Sequence, residues 1–387
     1  MSTFETPIVK FKLERIKDSD HLSLAHIRGW QCVVRFEEFA GDNFGVYIPL
    51  DAVADKDHPL LGFMKGKKVK TIKLRGVISQ GILLPLSQVR DYARKHKGIS
   101  SSEMIMWEEG KDLHEVLEVK KWEPPVKPAK LQAGGGYPYA TVEKPSWLEK
   151  YTDIENWNNW PDVIKVGEQV TITEKIHGTS AIFALIDNRF YLCSRNRCLR
   201  IGDIMVKKPR FKNKKLNNFL ETIKLGWLFG KRVIIPPENT VWHQAYKQFD
   251  MEAVLLELSE LTGMDNVAIY GEIVGVQDLM YGMNKGNIDF YAYDIKAGPT
   301  PGYTTPSEFG ELIKSLKLKR CPVLYIGEFS EDLLDLRQGE STVPGASHVR
   351  EGIVIEPNKT RWDTELGRVI LKKINEDYLL RQKGTDY

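Results

Sequence analysis

A lysine that follows an apolar strand and precedes a glycine turn is the residue of this chain best suited to nucleophilic chemistry. Lys175 lies in the segment 174–179 (EKIHGT), directly after the apolar residues 170–173. A lysine amine attacks an electrophile only after it has lost its proton, which a closed pocket or a neighbouring cation promotes. At a strand end beside a turn, Lys175 faces whatever lies between the strands. By itself this segment is a weak signal, because a single lysine near a glycine is usually structural or solvated, and its interpretation depends on the residues that accompany it.

Further short segments with charged or aromatic residues follow Lys175 along the chain. They are 194–196 (SRN), 269–272 (IYGE), 289–295 (DFYAYDI), 350–355 (REGIVI) and 371–375 (LKKIN). Each segment is unspecific by itself, since a strand-end carboxylate or lysine is usually an ordinary surface residue. Their order over some two hundred residues indicates a common function.

In this order the segments resemble the motifs of the covalent nucleotidyltransferases, the superfamily of DNA ligases, RNA ligases and capping enzymes. Segment 174–179 is similar to motif I, and segments 269–272, 289–295, 350–355 and 371–375 are similar to motifs III, IIIa, IV and V. His177 stands where DNA ligases and capping enzymes have aspartate, which resembles the RNA-ligase branch. The resemblance implies that Lys175 attacks the α-phosphorus of ATP and carries AMP.

The resemblance also implies a set of nucleotide-binding residues. They are Glu174, Ile176, His177, Gly178, Arg195, Glu272, Tyr293 and Glu351. Glu272 suits a ribose hydroxyl, Tyr293 can stack on adenine, and the planar fork of Arg195 matches two phosphate or ribose oxygens.

The negative charge of the ATP phosphates has to be neutralised by metal ions or by cationic side chains. Glu351 opens an apolar strand and is a suitable oxygen ligand for Mg²⁺ or Mn²⁺. Lys372 and Lys373 are both candidates for the catalytic lysine that neutralises the α-phosphate. Motif V usually has one residue between its two lysines, whereas these are adjacent, so only one can face the pocket from a regular strand. Alignment on Asn375 and Tyr378 favours Lys372.

The strand pattern predicts an α+β protein with two domains. Short strands at 31–36, 44–50, 67–74 and 81–84 indicate a small N-terminal β-barrel over residues 1–125. Prolines and a triple glycine indicate a linker at 126–140. Residues 141–387 are expected to form the nucleotidyltransferase domain, with antiparallel sheets and flanking helices in an ATP-grasp-like ligase fold.

The C-terminal domain has its own strand and helix signals. Strands are predicted at 170–174, 181–186, 267–273, 288–295, 352–356 and 368–371. The stretch 242–258 has helical periodicity, with Tyr246, Phe249, Ala253 and Leu256 on one face. These strands carry most of the predicted site residues.

The N-terminal domain resembles the OB-fold of the Deinococcus/Naegleria-type RNA ligases. The similar segments are 29–31 (GWQ), 46–48 (VYI) and 73–85 (KLRGVISQGILLP). The resemblance implies sealing of a 3′-OH/5′-phosphate nick in a duplex, with RNA on the 3′-OH side. Lys73 and Arg75 could contact nucleic acid, although a packing role for this domain is nearly as plausible.

A basic stretch between two predicted strands offers a second nucleic-acid surface. It includes Lys207, Lys208 and Arg210, with aromatic residues interleaved. Clustered cations suit a phosphate backbone, but a solvated lysine-rich loop explains the same composition. The sequence leaves both interpretations open.

Composition excludes several classes of protein. The 387 residues carry a net charge of +3, and 42% are hydrophobic, which is typical of a globular rather than a disordered chain. The N-terminus shows no secretory signal and the chain no membrane span, so we expect an intracellular monomer. The four cysteines are sparse and are expected to be reduced thiols. Two alternatives to a ligase are a capping-type guanylyltransferase and a non-catalytic nucleic-acid-binding protein.

Overall fold

The chain forms two compact units in the structure, a computed structural model. Described are residues 4–17, 19–39, 41–122, 141–148, 151–208, 231–235, 240–279, 281–284, 286–299 and 302–381, with only the backbone at 204–208 and 231–235. The first unit comprises Met1–Pro128, Thr152–Ile176 and Cys321–Tyr387, and the second comprises Ala129–Tyr151 and His177–Arg320. The division into domains at residues 125 and 141 stays a prediction, because the linker 126–140 lies outside the described residues.

The secondary structure is dominated by short strands. In chain order the strands are β1 Ile8–Lys10, β2 Lys12–Arg15, β3 Leu22–Ile27, β4 Trp30–Arg35, β5 Phe44–Ile48, β6 Ala52–Val53, β7 Ile72–Leu74, β8 Val77–Ser79, β9 Ile82–Pro85, β10 Lys120–Lys121, β11 Thr141–Val142, β12 Glu155–Asn156, β13 Gln169–Lys175, β14 Thr179–Ile186, β15 Arg189–Ser194, β16 Cys198–Leu199, β17 Ile204–Lys208, β18 Lys231–Ile235, β19 Val267–Val274, β20 Asp289–Ala297, β21 Val323–Glu328, β22 Gly352–Pro357, β23 Trp362–Asp363, β24 Gly367–Arg368 and β25 Leu371–Ile374. The α-helices are α1 Phe36–Phe39, α2 Leu86–Tyr92, α3 Ser101–Ile105, α4 Val241–Gln248, α5 Met251–Thr262, α6 Pro306–Ser315 and α7 Glu376–Leu379, and single turns of other helix types occur at Gly62–Met64, Ala93–Lys97, Trp157–Asn159 and Glu331–Arg337.

Small antiparallel sheets form the N-terminal part of the first unit. Their strand orders are β1-β5-β9, β2-β3-β4, β7-β8 and β6-β10. Side chains alternate along each strand, so in β4 Trp30, Cys32 and Val34 are buried while the residues between them are more exposed. Burial raises the pKa of the Cys32 thiol to about 12. The barrel interior therefore excludes water from this strand.

The predicted strand 67–74 is shorter than expected. Only Ile72–Leu74 forms a strand, in a hairpin with β8. Val69 exchanges two backbone hydrogen bonds with Asp51 and Ala52, but its neighbours do not continue the pairing. The sequence predicts one continuous strand over 67–74, whereas in the structure the strand begins only at Ile72.

A five-stranded sheet completes the first unit, in the order β12-β25-β22-β13-β21. Its pairs are antiparallel except for β12 beside β25. One face carries Val170, Ile172, Ile353 and Ile355 into a core with Trp157. The predicted strand 368–371 appears instead as β24 and β25, on either side of a break at residues 369–370.

The second unit is built on a six-stranded antiparallel sheet, in the order β11-β16-β15-β14-β19-β20. Helices α4, α5 and α6 cover one face, where Phe183, Leu255 and Ile269 lie in one buried cluster. The other face carries smaller aliphatic residues and tyrosines. This second face bears the predicted site residues of the unit.

The predicted helix 242–258 is two helices, and its predicted apolar face holds for Tyr246 and Phe249 but not for Ala253 and Leu256. Asp250 adopts a left-handed conformation, with φ of 45°, and separates α4 from α5. The helical register restarts there, so Leu255 and Leu258 are buried, while Leu256 is 50% exposed. A single periodicity drawn through the break assigns α5 to the wrong face.

Strands β17 and β18 pair antiparallel, and β17 contains Lys207 and Lys208, whereas Arg210 and most of the basic stretch lie outside the described residues. In the described part of the chain, no helix combines the length and apolar character needed to cross a membrane.

Candidate active site

Lys175 is the last residue of β13 and is held by a buried carboxylate. Its Nζ lies 2.8 Å from Oε1 of Glu351, which is only 3% exposed. Residue Gly352, next to this glutamate, pairs directly with Lys175 across the two strands. A Cβ at Gly352 would lie 2.2 Å from the carbonyl oxygen of Lys373, so only glycine allows this close approach. Strand pairing therefore brings together two residues that are 176 positions apart.

The pairing register separates the two motif V lysines. Lys372 is opposite Val354, which is itself opposite Thr173, two residues before Lys175. Directly paired residues share a face, and every second residue along a strand returns to it. Lys372 therefore lies on the sheet face of Lys175. Lys373 lies on the other face and donates a hydrogen bond to Oδ1 of Asn158.

Glu174 also points away from the face of Lys175. Its Oε1 accepts a hydrogen bond from the Ser341 hydroxyl, and its Oε2 accepts two from Thr342, at 2.7 Å each from the backbone N–H and the Oγ hydroxyl. Ile176 is 5% exposed. Both side chains are thus engaged within the protein, and their assignment as nucleotide-binding residues stays a prediction.

In the second unit, the turn after motif I contacts Gln277, Asp278 and Tyr281. The His177 N–H donates to the Tyr281 hydroxyl oxygen at 2.6 Å, and the His177 ring nitrogen Nε2 lies 3.2 Å from Oδ1 of Asp278. Gln277 donates to the carbonyl oxygen of Gly178. No sequence signal indicates these three partners, because they are about a hundred residues away and lie in a loop without a motif.

Gly178 is required by close packing. A Cβ at this position would lie 2.4 Å from the carbonyl oxygen of Ile273 and 2.9 Å from Cγ of Glu272. The glycine therefore lets the motif I turn contact β19 directly, beside one of the predicted nucleotide-binding carboxylates.

Glu272 and Tyr293 lie on the face of the six-stranded sheet opposite helices α4, α5 and α6. Glu272 is opposite Ser180 on β14 and opposite Tyr291 on β20. The register of β20 shifts after its pairing with Gly271, which leaves Tyr293 as an extra, bulged residue. Tyr293 shares this face with Tyr291, two residues earlier on the strand, and its hydroxyl lies 3.3 Å from Oγ of Ser180.

Tyr293 packs against a cluster of tyrosines that includes Tyr151 and the buried Tyr270. The Tyr151 ring lies 5.1 Å from the Tyr293 ring, and its hydroxyl donates to Oδ2 of Asp294 at 2.8 Å. Tyr270 packs on Tyr151 at 5.0 Å, and burial raises the pKa of its hydroxyl well above the usual value. Sequence patterns missed Tyr151 because it lies outside every motif.

Arg195 lies in an exposed turn that is closed by a disulfide. Cys193 and Cys198 pair across β15 and β16 and are bonded to each other, with the Cα atoms 3.9 Å apart. The expectation that all four cysteines are reduced thiols is therefore wrong for this pair, whereas Cys32 and Cys321 are buried and belong to no disulfide among the described residues. The missed signal was the spacing, since a tight turn between two strands places positions i and i+5 opposite each other.

The remaining predicted residues are distributed as follows. Lys73 and Arg75 are exposed at the β7–β8 hairpin, where Arg75 and Gly76 both have positive φ. Among the described residues, no group of three or more His, Cys, Asp and Glu side chains could hold a metal ion. The first unit brings together Lys175, Glu351 and Lys372, and the second brings together Gly178 and Glu272.

Comparison with known families gives two matches. A family model described as RNA ligase matches residues 168–374, which is over half of the chain, and an OB-fold domain matches residues 8–86. Comparison with curated proteins gives no sequence match.

Solved structures of Naegleria gruberi RNA ligase are similar over nearly the whole chain. A structure with PPi has a TM-score of 0.69 at 23% identity and covers 99% of each chain. A variant with AMP and Mn has a TM-score of 0.69 at 25% identity, covering 97% of this chain and 98% of that one. A second variant, with ATP and Mn, has a TM-score of 0.69 at 25% identity, covering 98% and 99%. These matches confirm the predicted N-terminal OB-fold and the antiparallel sheets with flanking helices.

Proposed function

The chain belongs to the RNA ligase family, and on this premise we propose that it joins 3′-hydroxyl and 5′-phosphate ends with ATP, through an AMP adduct on Lys175. The observation that carries the proposal is the placement of Lys175 at a strand end, with Glu351 at 2.8 Å and Lys372 on the same sheet face. The Naegleria gruberi ligase, which has the same fold, has been captured with ATP, AMP and PPi.

The first step is adenylylation of the protein. Lys175 gives up a proton, and its Nζ attacks the α-phosphorus of ATP. The new N–P bond forms as the bond to the bridging oxygen breaks, and pyrophosphate leaves with the electron pair. Lys372 would neutralise the charge that builds up on the α-phosphate. Lys373 remains a second candidate for this role, although its bond to Asn158 holds it on the other face.

The second and third steps transfer AMP and seal the nick. An oxygen of the 5′-phosphate attacks the phosphorus of AMP, the N–P bond breaks, and Lys175 recovers a proton. The 3′-hydroxyl then attacks the 5′-phosphorus, loses its proton and displaces AMP, which leaves a phosphodiester. ATP is not hydrolysed in this sequence, because its anhydride bond is exchanged first for the N–P bond, then for a new anhydride and finally for the phosphodiester.

Nucleotide recognition is assigned to the polar residues of the second unit. Glu272 would accept hydrogen bonds from a ribose hydroxyl, and Tyr293 would stack on adenine. Arg195 would contact phosphate or ribose oxygens. His177 and Gly178 would shape the turn that follows the nucleophile.

The donor set beside Lys175 fits one divalent cation shared with the nucleotide. Mg²⁺ is commonly held by one or two carboxylates together with phosphates and waters, and Glu351 supplies such a carboxylate. When bound, Mg²⁺ or Mn²⁺ would lower the charge repulsion at the phosphates. Glu351 thus has two roles, as the partner of the Lys175 ammonium and as the oxygen ligand.

The nucleic-acid substrate is proposed to be a nicked duplex with RNA at the 3′-hydroxyl. The exposed Lys73 and Arg75 on the β7–β8 hairpin, and Lys207 and Lys208 on β17, could contact its backbone. Sealing rates on otherwise identical nicks, with either RNA or DNA at the 3′-hydroxyl, test this preference. Equal sealing of all-DNA nicks would contradict it.

Adduct formation tests the proposed function directly. The protein is incubated with α-labelled ATP and Mg²⁺ or Mn²⁺, without nucleic acid, and label is measured on the denatured chain. The wild type and the exposed-lysine control Lys165→Ala should carry label, and Lys175→Ala should not. Label from GTP instead of ATP would favour a capping-type enzyme. Absence of label from folded protein that carries no AMP would favour a nucleic-acid-binding protein.

A further inference from the structure

The OB-fold domain contacts the catalytic part of the first unit through the β3–β4 turn. The Gly29 N–H donates to the carbonyl oxygen of Asn158 at 3.3 Å, and the Trp30 indole donates to Oδ1 of Asn159 at 2.8 Å. A Cβ at Gly29 would lie 2.6 Å from Oδ1 of Asn158 and 2.7 Å from its Cα. The absence of a side chain at residue 29 is therefore what lets the turn rest on Asn158.

Asn158 also forms a hydrogen bond with β25, the strand that contains the motif V lysines. Its Oδ1 accepts the hydrogen bond from Nζ of Lys373, and the residue is only 3% exposed. The preceding strand β12 pairs in parallel with β25, with Glu155 opposite Leu371 and Asn156 opposite Lys372. Oδ1 of Asn156 in turn accepts the Asn158 N–H at 3.0 Å. One short segment thus connects the OB turn to both motif V lysines.

We propose that Asn158 is a positioning residue through which the OB-fold domain sets the motif V strand, and with it Lys372, for the adenylylation of Lys175. The inference rests on the proposed function, because it assigns to Lys372 the contact with the α-phosphate. Lys373, anchored on Asn158 on one face of β25, fixes the strand so that Lys372 faces the nucleophile on the other.

The chemistry of the contact favours positioning over simple packing. Asn158 is buried and its amide oxygen faces a lysine ammonium, a charge-assisted bond that is stronger than a neutral one. Apolar packing alone would place an aliphatic residue in such a site. The backbone contact at Gly29 leaves Asn158 little freedom to move away. The OB turn therefore constrains the orientation of the amide that holds Lys373.

The inference has a sharp consequence for the step that involves no nucleic acid. If the OB domain serves only to bind the substrate, a change in its β3–β4 turn leaves adduct formation on Lys175 untouched. If the turn positions motif V, the same change slows adduct formation. The rate constant and the KM for ATP of this single step therefore separate the two roles.

The variants are Gly29→Ala and Asn158→Ala, with Gly202→Ala and Asn43→Ala as matched controls at exposed positions. A Cβ at Gly202 meets nothing within 4 Å. Loss of one charge-assisted hydrogen bond predicts a fall of about tenfold or more in the rate constant for labelling Lys175, with the KM for ATP changed less than about twofold. Both controls should label at the wild-type rate.

Two further variants keep the test decisive if Gly29→Ala folds poorly. Asn158→Asp retains an acceptor for Lys373 and should recover labelling to within about threefold of wild type. Trp30→Phe removes the donor to Asn159 together with part of a buried ring that stacks on Tyr47, and it should lower the rate constant by a few-fold. Thermal unfolding of each variant shows whether the protein is intact.

The outcomes are distinguishable. Wild-type rates for both Gly29→Ala and Asn158→Ala would overturn the inference, as would a loss in Asn158→Ala that Asn158→Asp does not recover in folded protein. A wild-type protein that forms no adduct would instead overturn the proposed function itself.

Discussion

Glu174 is expected to stabilise the first unit through hydrogen-bond geometry rather than through its charge. Its two carboxylate oxygens accept three hydrogen bonds from Ser341 and Thr342, and the residue is 1% exposed. Three substitutions separate geometry from charge, namely Glu174→Gln, Glu174→Asp and Glu174→Ala.

The glutamine variant can satisfy all three partners. Its amide oxygen can accept both bonds from Thr342, while its NH₂ group donates to the Ser341 hydroxyl, which can reverse its role. Only the charge assistance is lost, so the free energy of unfolding should fall by about 1 kcal/mol. Glu174→Ala loses all three bonds, but the hydroxyls are not fully buried and can turn to water, which gives a loss of about 2–3 kcal/mol.

The aspartate variant keeps the charge but is one carbon shorter, by about 1.5 Å. Its carboxylate cannot reach the same donors, so a buried charge is left poorly solvated, at a cost of about 3 kcal/mol or more. The expected order of stability is therefore glutamine above alanine, with aspartate equal to alanine or below it.

Urea unfolding followed by tryptophan fluorescence measures these differences. Glu328 on the neighbouring strand β21 is exposed, so Glu328→Gln and Glu328→Asp are controls expected within about 0.5 kcal/mol of wild type. An aspartate variant at 174 as stable as the glutamine variant would refute the reasoning, because it would show that charge rather than reach determines the contribution of Glu174.

Three further predictions follow from the site. Lys372→Ala should lower the rate of adduct formation by about 100-fold or more, as removal of one transition-state donor commonly does, while the exposed Lys359→Ala should not change it; equal rates would contradict the assignment. Gly178→Ala should destabilise the protein by about 1–3 kcal/mol and lower labelling, because a Cβ would lie 2.4 Å from a backbone oxygen of β19; wild-type stability in thermal unfolding would argue against this packing. Thiol titration of the unfolded chain should find two free thiols before reduction and four after it, and reduction of the Cys193–Cys198 bond should cost about 2 kcal/mol in urea unfolding; four thiols before reduction would exclude the disulfide.

The sequence identified what local chemistry and order can specify. The RNA-ligase resemblance, the N-terminal OB-fold and the strands that carry Lys175 and Glu272 are all confirmed. Apolar runs of strand length between turn residues predict strands such as β14 and β19, because side-chain alternation and glycine conformations are properties of a few consecutive residues. The roles of the site residues and the domain bounds stay predictions.

Local patterns failed where a structure depends on a single backbone conformation or on a distant partner. One left-handed residue, Asp250, reset the helical register of α5 and invalidated the predicted apolar face of that helix. The bulge at Tyr293 and the disulfide at residues 193 and 198 each depend on how neighbouring strands pair. A local sequence pattern does not specify the register of one strand against another.

The motif V lysines show most clearly which features the sequence determines and which ones the tertiary structure determines. The sequence left Lys372 and Lys373 as alternatives for one strand face, because adjacent residues of a strand point to opposite faces, and alignment on Asn375 and Tyr378 favoured Lys372. The tertiary structure places Lys372 on the sheet face of Lys175, since the face of β25 is fixed by its pairing with β22 and by the hold of Asn158 on Lys373. Asn158 and Lys373 are 215 positions apart in the chain, and the geometry of their contact is set by the packing of whole sheets rather than by any local preference.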